Sequence, residues 1–417
     1  MKKLMIYLLM SLFLIATGSA CGASTENETK IVKESKKREQ ETTNEEKPEK
    51  LIVWEEENKG EALKTILNGF EKEYGIRVEY KEVDVDDGMY TQLRRKGPIG
   101  KSPDIVTLSH KKLGQLVEEG LVQEIRVKEE VVNRFLKNSL LAETYQGKLF
   151  GLPKSAVTSV LVYNKKMMPK SPHTMNELYK KAKRLRKGHE FGFAAEWNGF
   201  HDAYGTVMGM GGYVFNRDGQ TIDPLDIGLN NEGALKGAKY IRKWYKASAM
   251  PEGDKEDLEN MFKEGKVASI MSSNSALMEG KNVGIAPMPT LSKGKPMKTI
   301  MEIKGWHITA FTKYPYWSTK LVEYLSNEKN ALLRFEKTGE IPPLKTISDH
   351  EPIKDSERAQ AISIQLQYAE PVPNIPEMNK VWGPMNSAMQ QIAASKGKPK
   401  AILDEAVKKI VKSYEED

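Results

Sequence analysis

Apolar residues in this chain come in short runs and helix-spaced stripes rather than long blocks, and the two patterns alternate from Leu51 onward. Leu51-Ile52-Val53-Trp54 reads as a strand, and Ala62, Leu63, Ile66, Leu67 and Phe70 then share one face of a helix that Gly75 ends. Ile76 to Val83 alternates like a half-buried strand, Pro103 to Leu108 reads as the next strand, and Lys112 to Gly120 as a helix. Further strands are predicted at Leu149 to Leu152, Val157 to Tyr163, Ser269 to Met271 and Val283 to Ala286. Thr174 is placed to cap a Lys-rich amphipathic helix reaching Arg186. The longest helix candidate, Gly228 to Ser248, turns Ala234, Ala238, Ile241 and Trp244 or Tyr245 to one buried face. Helices at Thr319 to Ser326, Glu357 to Tyr368, Met385 to Ser395 and Pro399 to Tyr414 complete the pattern. Strand and helix alternating in this way predict an α/β fold, and no repeat supports a solenoid.

The first fifty residues follow a different rule. Lys2 and Lys3, an apolar run from Leu4 to Ala16 and small residues from Gly18 to Cys21 have the order of an export signal, covering residues 1–20. The run is about 13 residues, whereas a membrane-spanning helix takes roughly 20. Cys21 is the single cysteine, so no intrachain disulfide can form, and a lone thiol directly after the signal suggests a modification site. Residues 22–50 are mostly charged and polar, with Ile31 and Val32 the only sizeable apolar side chains, a composition that predicts a solvated spacer. Residues 51–417 contain no second long apolar segment and are numerous enough for two domains. The net charge of +7 is spread among acidic residues without interleaved aromatics, which argues against a nucleic-acid partner.

Catalytic and cofactor motifs are absent from the sequence: no nucleophile elbow, zinc-binding HExxH or phosphate loop occurs. The six histidines are scattered singly, without the close pairing of metal sites, so neither metal nor cofactor is expected. Glu55-Glu56-Glu57 could contribute to a glycosidase carboxylate pair, leaving a surface glycoside hydrolase as the alternative class, although a solvated turn at a strand end is the simpler reading.

Several blocks in order carry a resemblance: Leu51 to Trp54 with Asn58-Lys59-Gly60, Phe70 to Val78, Pro103-Asp104-Ile105, Gln146 to Leu149, Leu161 to Lys165, Gly211-Gly212-Tyr213, and Pro373-Asn-Ile-Pro-Glu-Met378 followed by Trp382. Together they make the chain resemble the maltose- and maltodextrin-binding proteins and the related cyclodextrin- and galacto-oligosaccharide-binding lipoproteins of ABC importers. The resemblance implies a two-lobed, hinged α/β periplasmic-binding-protein fold with an inter-lobe ligand cleft. It implies lobes of residues 51–155 plus 303–344 and 160–298 plus 351–417, with crossovers near 155–160, 298–303 and 344–351. A lipid on Cys21 would hold the receptor at the extracellular face of the membrane, and residues 21–50 would form the tether. It would act as a monomer with the importer's permease as partner, and not as an enzyme.

The same resemblance implies a site. Asn58 and Lys59 fall on the sugar-contacting turn after the first strand, with Glu56 beside them, and Asp87 on an acidic contact after the second strand. Trp382 falls on the aromatic that stacks on a sugar ring, and Phe200 and His201 lie where relatives supply another aromatic. Departures are substantial. Lys111 and Lys112, next to Ser109, replace a common Asp-Arg pair, Leu108 replaces a tryptophan, Val157 a glutamate and Ser275 a stacking tryptophan. Trp197, Trp306 and Lys154 are the local substitutes available. Lysines at 111, 112 and 154 leave open a preference for an acidic oligosaccharide.

Overall fold

The computed structural model describes residues 46–84, 88–188, 190–219, 221–291 and 294–415. The signal segment, Cys21, most of the spacer and Asp87 lie outside the described residues. Residues from Lys47 onward form one compact unit.

The principal elements of that unit are β1 (Lys50–Glu56), α1 (Gly60–Tyr74), β2 (Arg77–Val83), β3 (Ile105–Ser109), β4 (Gly151–Thr158), β5 (Val160–Asn164), α2 (Met175–Leu185), α3 (Phe200–Gly209), α4 (Glu232–Lys246), β6 (Ser269–Ser272), β7 (Val283–Ala286), β8 (Ile300–Ile308), α5 (Pro315–Leu325), α6 (Glu328–Thr338), α7 (Glu357–Leu366), β9 (Glu370–Pro371), α8 (Asn379–Ala393) and α9 (Pro399–Lys412). Among the described residues, a six-stranded sheet runs β9-β8-β3-β1-β2, with β4 also paired to β8, and a three-stranded sheet runs β6-β5-β7. β1 is parallel to β2 and β3, as strand-helix-strand connections require, whereas β8 runs antiparallel to β3 and β4. The chain leaves the larger sheet at the end of β4 and enters the smaller one as β5, with Ser159 between them. Apolar side chains fill three clusters. One, around Trp54, Leu108 and Leu116, covers one side of the larger sheet; another, around Trp197, Ile241 and Met389, covers the smaller sheet on the side of α3, α4 and α8. This is a two-lobed α/β fold.

Local chemistry explains most boundaries. Thr174 Oγ1 accepts from the Glu177 N–H at 3.1 Å, the cap expected of it, and Asn231 and Asn327 cap α4 and α6 in the same way. Three expectations change. The strands expected at 149–152 and 157–163 are instead β4 and β5, with Pro153, Lys154, Ser155 and Ala156 in mid-strand, because β8 supplies a ladder partner through this whole stretch. The helix expected to begin at Met385 begins at Asn379 and contains Pro384, whose missing N–H costs one bond early in α8. Residues 298–303, expected only as a crossover, open the long strand β8.

β8 also hosts a buried polar pair. Glu143 Oε2 and His307 Nε2 are 2.7 Å apart and fully buried, and the side chain of Glu143 occupies space that Gly305 leaves open: a Cβ there would lie 2.4 Å from Glu143 Oε1. Gly305→Ala is therefore expected to lower stability by about 1–3 kcal/mol, as overpacking does, read as a lower urea midpoint with an unchanged slope.

Candidate functional site

The turn after β1 brings Glu56, Asn58 and Lys59 to the edge of the larger sheet. Asn58 adopts a left-handed backbone conformation, φ 63°, which asparagine tolerates better than most side chains. Lys59 precedes α1, and the helix's first N–H, at Gly60, donates to Glu82 Oε1 at 2.9 Å. Glu55 and Glu56 point to opposite faces because successive strand residues do. Glu55 is buried against Lys154 Nζ at 2.7 Å, while Glu56 Oε1 meets Lys304 Nζ at 2.5 Å. Of the three adjacent glutamates only Glu57 is exposed, so the reading of all three as a solvated turn is corrected.

β3 ends at Ser109, whose Oγ lies 3.4 Å from the Lys111 N–H. The short turn that follows sends its two lysines in different directions. Lys111 Nζ reaches Glu302 Oε1 at 2.5 Å, and Lys112 Nζ lies over the Tyr90 ring, 4.9 Å from its centroid. His110, buried just before them, has Nδ1 3.2 Å from the Ile303 carbonyl, and burial holds it below the usual histidine range. This turn is thereby fastened to β8.

On the other side, α3 begins with Phe200 and His201. Phe200 is fully buried, its ring edge-on to Trp382 at 5.9 Å, and its N–H donates to Asn386 Oδ1 at 2.8 Å. His201 is exposed and stacks on Trp382 with centroids 6.5 Å apart and planes at 27°. Its Nδ1 faces Asp202 Oδ1 at 3.2 Å and its Nε2 faces Glu302 Oε1 at 3.7 Å. Trp382 stands in the first turns of α8, launched by Pro373 to Met378. Asn374 locks that segment by donating from Nδ2 to the carbonyls of Ala142 and Thr144 at 2.9 Å each.

The structure thus brings Lys111, Glu302, His201 and Trp382 together, with Lys304 further along β8 paired to Glu56 at the end of β1. Phe200 supports Trp382 from beneath, and Ser275 is exposed at the start of a short turn, apart from these contacts. Trp197, Trp306 and Lys154 do not substitute for missing contacts, because all three are fully buried. The sequence reading missed Glu302, Lys304 and Asp202. The signal was present: in Met301-Glu302-Ile303-Lys304 the polar side chains alternate with buried ones, the period of a strand with one wet face.

Acceptance by Asp202 and then by the nearby Glu302 carboxylate raises His201 to about 9, and Glu302 in turn, facing His201 and paired with Lys111, is held at about 2 despite its partial burial. Burial and the neighbouring Asp202 push Glu196 above the ordinary carboxyl value. A histidine raised in this way contributes stability fully present below its unfolded value near 6.5 and lost as pH rises through about 9. We expect the His201 ring protons to titrate by NMR with a midpoint well above 7, and Glu302→Gln to lower that midpoint. A midpoint near 6.5 in the wild type would contradict this geometry.

Residues 54–332 match the family model described as bacterial extracellular solute-binding protein. The chain belongs to that family. The galactooligosaccharide-binding protein of Bacillus subtilis (strain 168) is 38% identical over 86% of this chain and 88% of its own length. The maltodextrin-binding protein of the same organism is 33% identical over 88% and 90%. A solved cyclo/maltodextrin-binding protein complexed with maltotetraose superposes with a TM-score of 0.82 at 35% identity, covering 89% of this chain and 98% of that one. Each of these is named as a binding protein, and a maltooligosaccharide ABC transporter solute-binding lipoprotein of Streptococcus pneumoniae (strain ATCC BAA-255 / R6) is 28% identical over 86% of this chain. No helix among the described residues is long and apolar enough to cross a membrane, and none of their His, Cys, Asp and Glu clusters could hold a metal ion.

Proposed function

We propose that this protein captures an oligosaccharide between lobes of residues 51–155 with 303–344 and 160–298 with 351–417, and delivers it to the permease of an ABC importer. The observation that carries the reading is the Trp382 ring set beside the Lys111–Glu302–His201 cluster. A sugar presents C–H faces that suit an aromatic ring and hydroxyls that need donors and acceptors in a fixed array. Asn58, Lys59, Glu56, Ser109, Lys112 and Asp87 complete the proposed polar lining, and closure of the lobes around the ligand would create the surface the permease recognises. The names of the similar galactooligosaccharide- and maltodextrin-binding proteins support the ligand class.

An acidic ligand fits this cleft poorly. Lys111 is already matched by Glu302, and Lys154 is buried with Glu55. A hydrolase fits poorly as well, since Glu55 and Glu56 are committed to Lys154 and Lys304.

Thermal-shift screening against galacto-oligosaccharides, maltodextrins and cyclodextrins tests the function. A true ligand at a hundred times its dissociation constant stabilises the protein by about 2.7 kcal/mol and leaves with its bonds intact. No shift with any of them, or release of reducing sugar, would overturn the reading. We further propose that Cys21 carries the lipid that holds a monomeric receptor at the extracellular membrane face. Mass spectrometry of the mature N-terminus should find diacylglycerol on Cys21; an unmodified terminus would make it a released protein.

A further inference from the structure

We infer that Glu302 is the specificity-determining acceptor of the cleft, selecting a neutral oligosaccharide by accepting from a hydroxyl directed at strand β8. The inference rests on the reading of the chain as an oligosaccharide receptor and deepens it.

Glu302 lies near the start of β8, where that strand pairs with the last residues of β4 before the chain passes to the smaller sheet. Its register partner across the antiparallel ladder is Val157, so the two side chains leave the same face of the sheet. Val157 is 45% exposed, a large apolar side chain left open to solvent beside the carboxylate. Met301 and Ile303, on the opposite face, are buried. Backbone geometry therefore turns Glu302 to the open face of β8, the side on which Lys111, His201 and Trp382 gather.

Two cations approach the same carboxylate oxygen from different parts of the fold. Lys111 Nζ comes from the turn after β3, 2.5 Å from Oε1, and His201 Nε2 comes from α3, 3.7 Å from it. Asp202 holds the other ring nitrogen of His201, which keeps Nε2 turned toward Glu302. The second carboxylate oxygen makes no hydrogen bond to the described residues and remains an acceptor. Lys111 has three donor protons and needs one for Glu302. The cluster is thus a preset donor and acceptor pair, next to the ring of Trp382 on which His201 stacks.

Stability does not explain it. Lys111 and Glu302 are each 44% exposed at the side chain, and exposed ion pairs of this kind contribute little to folding. Charge balance indicates the ligand. Lys111 offsets Glu302 and protonated His201 offsets Asp202, so the cluster presents hydrogen-bonding groups without a net positive field. A uronate brought to this place would meet cations that Glu302 and Asp202 already match.

The test uses isothermal titration of the full mature protein with whichever neutral oligosaccharide gives the largest thermal shift, alongside a uronate oligosaccharide. Glu302→Gln, of the same size, should weaken binding of the neutral sugar at least 10-fold, measured well below the melting midpoint of the ligand-free variant so that lost folding does not enter. Glu302→Val should weaken it further. Adding Val157→Glu to that variant should recover part of the loss, because the carboxylate returns to the same face from the directly opposite position on β4. Glu302→Asp covers the case of a Gln variant that fails to fold, and should bind between wild type and Gln. Wild-type affinity in Glu302→Gln, or a wild type preferring the uronate, would overturn the inference and leave the receptor reading standing. A wild type that binds no oligosaccharide removes both.

Discussion

Truncating Trp382 to alanine is expected to raise the dissociation constant for the oligosaccharide about 30-fold, because an aromatic platform contributes about 2 kcal/mol and each 1.4 kcal/mol is tenfold. Its ring is only partly buried in the ligand-free protein, so the loss should fall on binding and not on folding. Phe200, one layer below, has the opposite character. It is fully enclosed, edge-on to both Trp382 and Tyr204 at 5.9 Å, and Phe200→Ala should lower stability by about 3–5 kcal/mol. Titration calorimetry and urea denaturation on both variants separate the two roles. Trp382→Phe should keep much of the affinity by keeping a ring. Full affinity in Trp382→Ala would remove this residue from the site.

The neighbourhood of Trp382 shows how far the amino-acid sequence could be read. The α/β class, β1, α1 and the Thr174 cap were legible because each depends on local spacing and a single capping side chain. The motif ending at Met378 marked the approach to Trp382, and Asn374 explains physically why it stays in place. α6 was overlooked although Asn327 and Gly339 bracket it as cap and left-handed terminator. β8 carried a strand's alternation in Met301 to Lys304 that was passed over, and its pairing with β3 and β4, far away in sequence, is a tertiary event that local spacing does not show. With β8 unseen, Glu302 and Lys304 could not be placed, and Lys111 read as an unmatched cation. The error over Lys154 has a related cause. A lysine at a crossover reads as a cleft residue until the carboxylates that bury it, 99 and 186 positions away, are known.

That buried lysine carries a stability effect as large as the one expected at Phe200. Lys154 Nζ lies 2.7 Å from Glu55 and 3.3 Å from Glu340, and its ammonium and the Arg334 guanidinium lie 5.2 and 5.9 Å from the centre of the Trp306 ring. Arg334 also donates to the Lys154 carbonyl at 2.5 Å, and the Ala156 N–H donates to the Ile341 carbonyl at 2.8 Å. The cluster therefore fastens β4 to the segment after α6. Lys154→Met keeps the length of the side chain and removes its charge, leaving two carboxylates that share one remaining cation. Breaking a buried pair by deleting one partner costs about 3–5 kcal/mol, and the variant should show a loss of that order at pH 7 by urea denaturation. In the wild type, burial raises Glu340 but Lys154 and Arg334 outweigh it and hold the carboxyl at about 2, so its contribution is present above about 4.5 and lost as pH falls through about 2. Without Lys154 the sign reverses. Glu55, already raised by burial, and Glu340 then prefer to be protonated in the folded protein, so the deficit should shrink as pH falls from 7 toward 4. Adding Glu55→Gln to Lys154→Met should restore part of the loss at pH 7 and flatten this pH dependence. A deficit that is independent of pH, or untouched by the second substitution, would mean that packing rather than charge explains the loss.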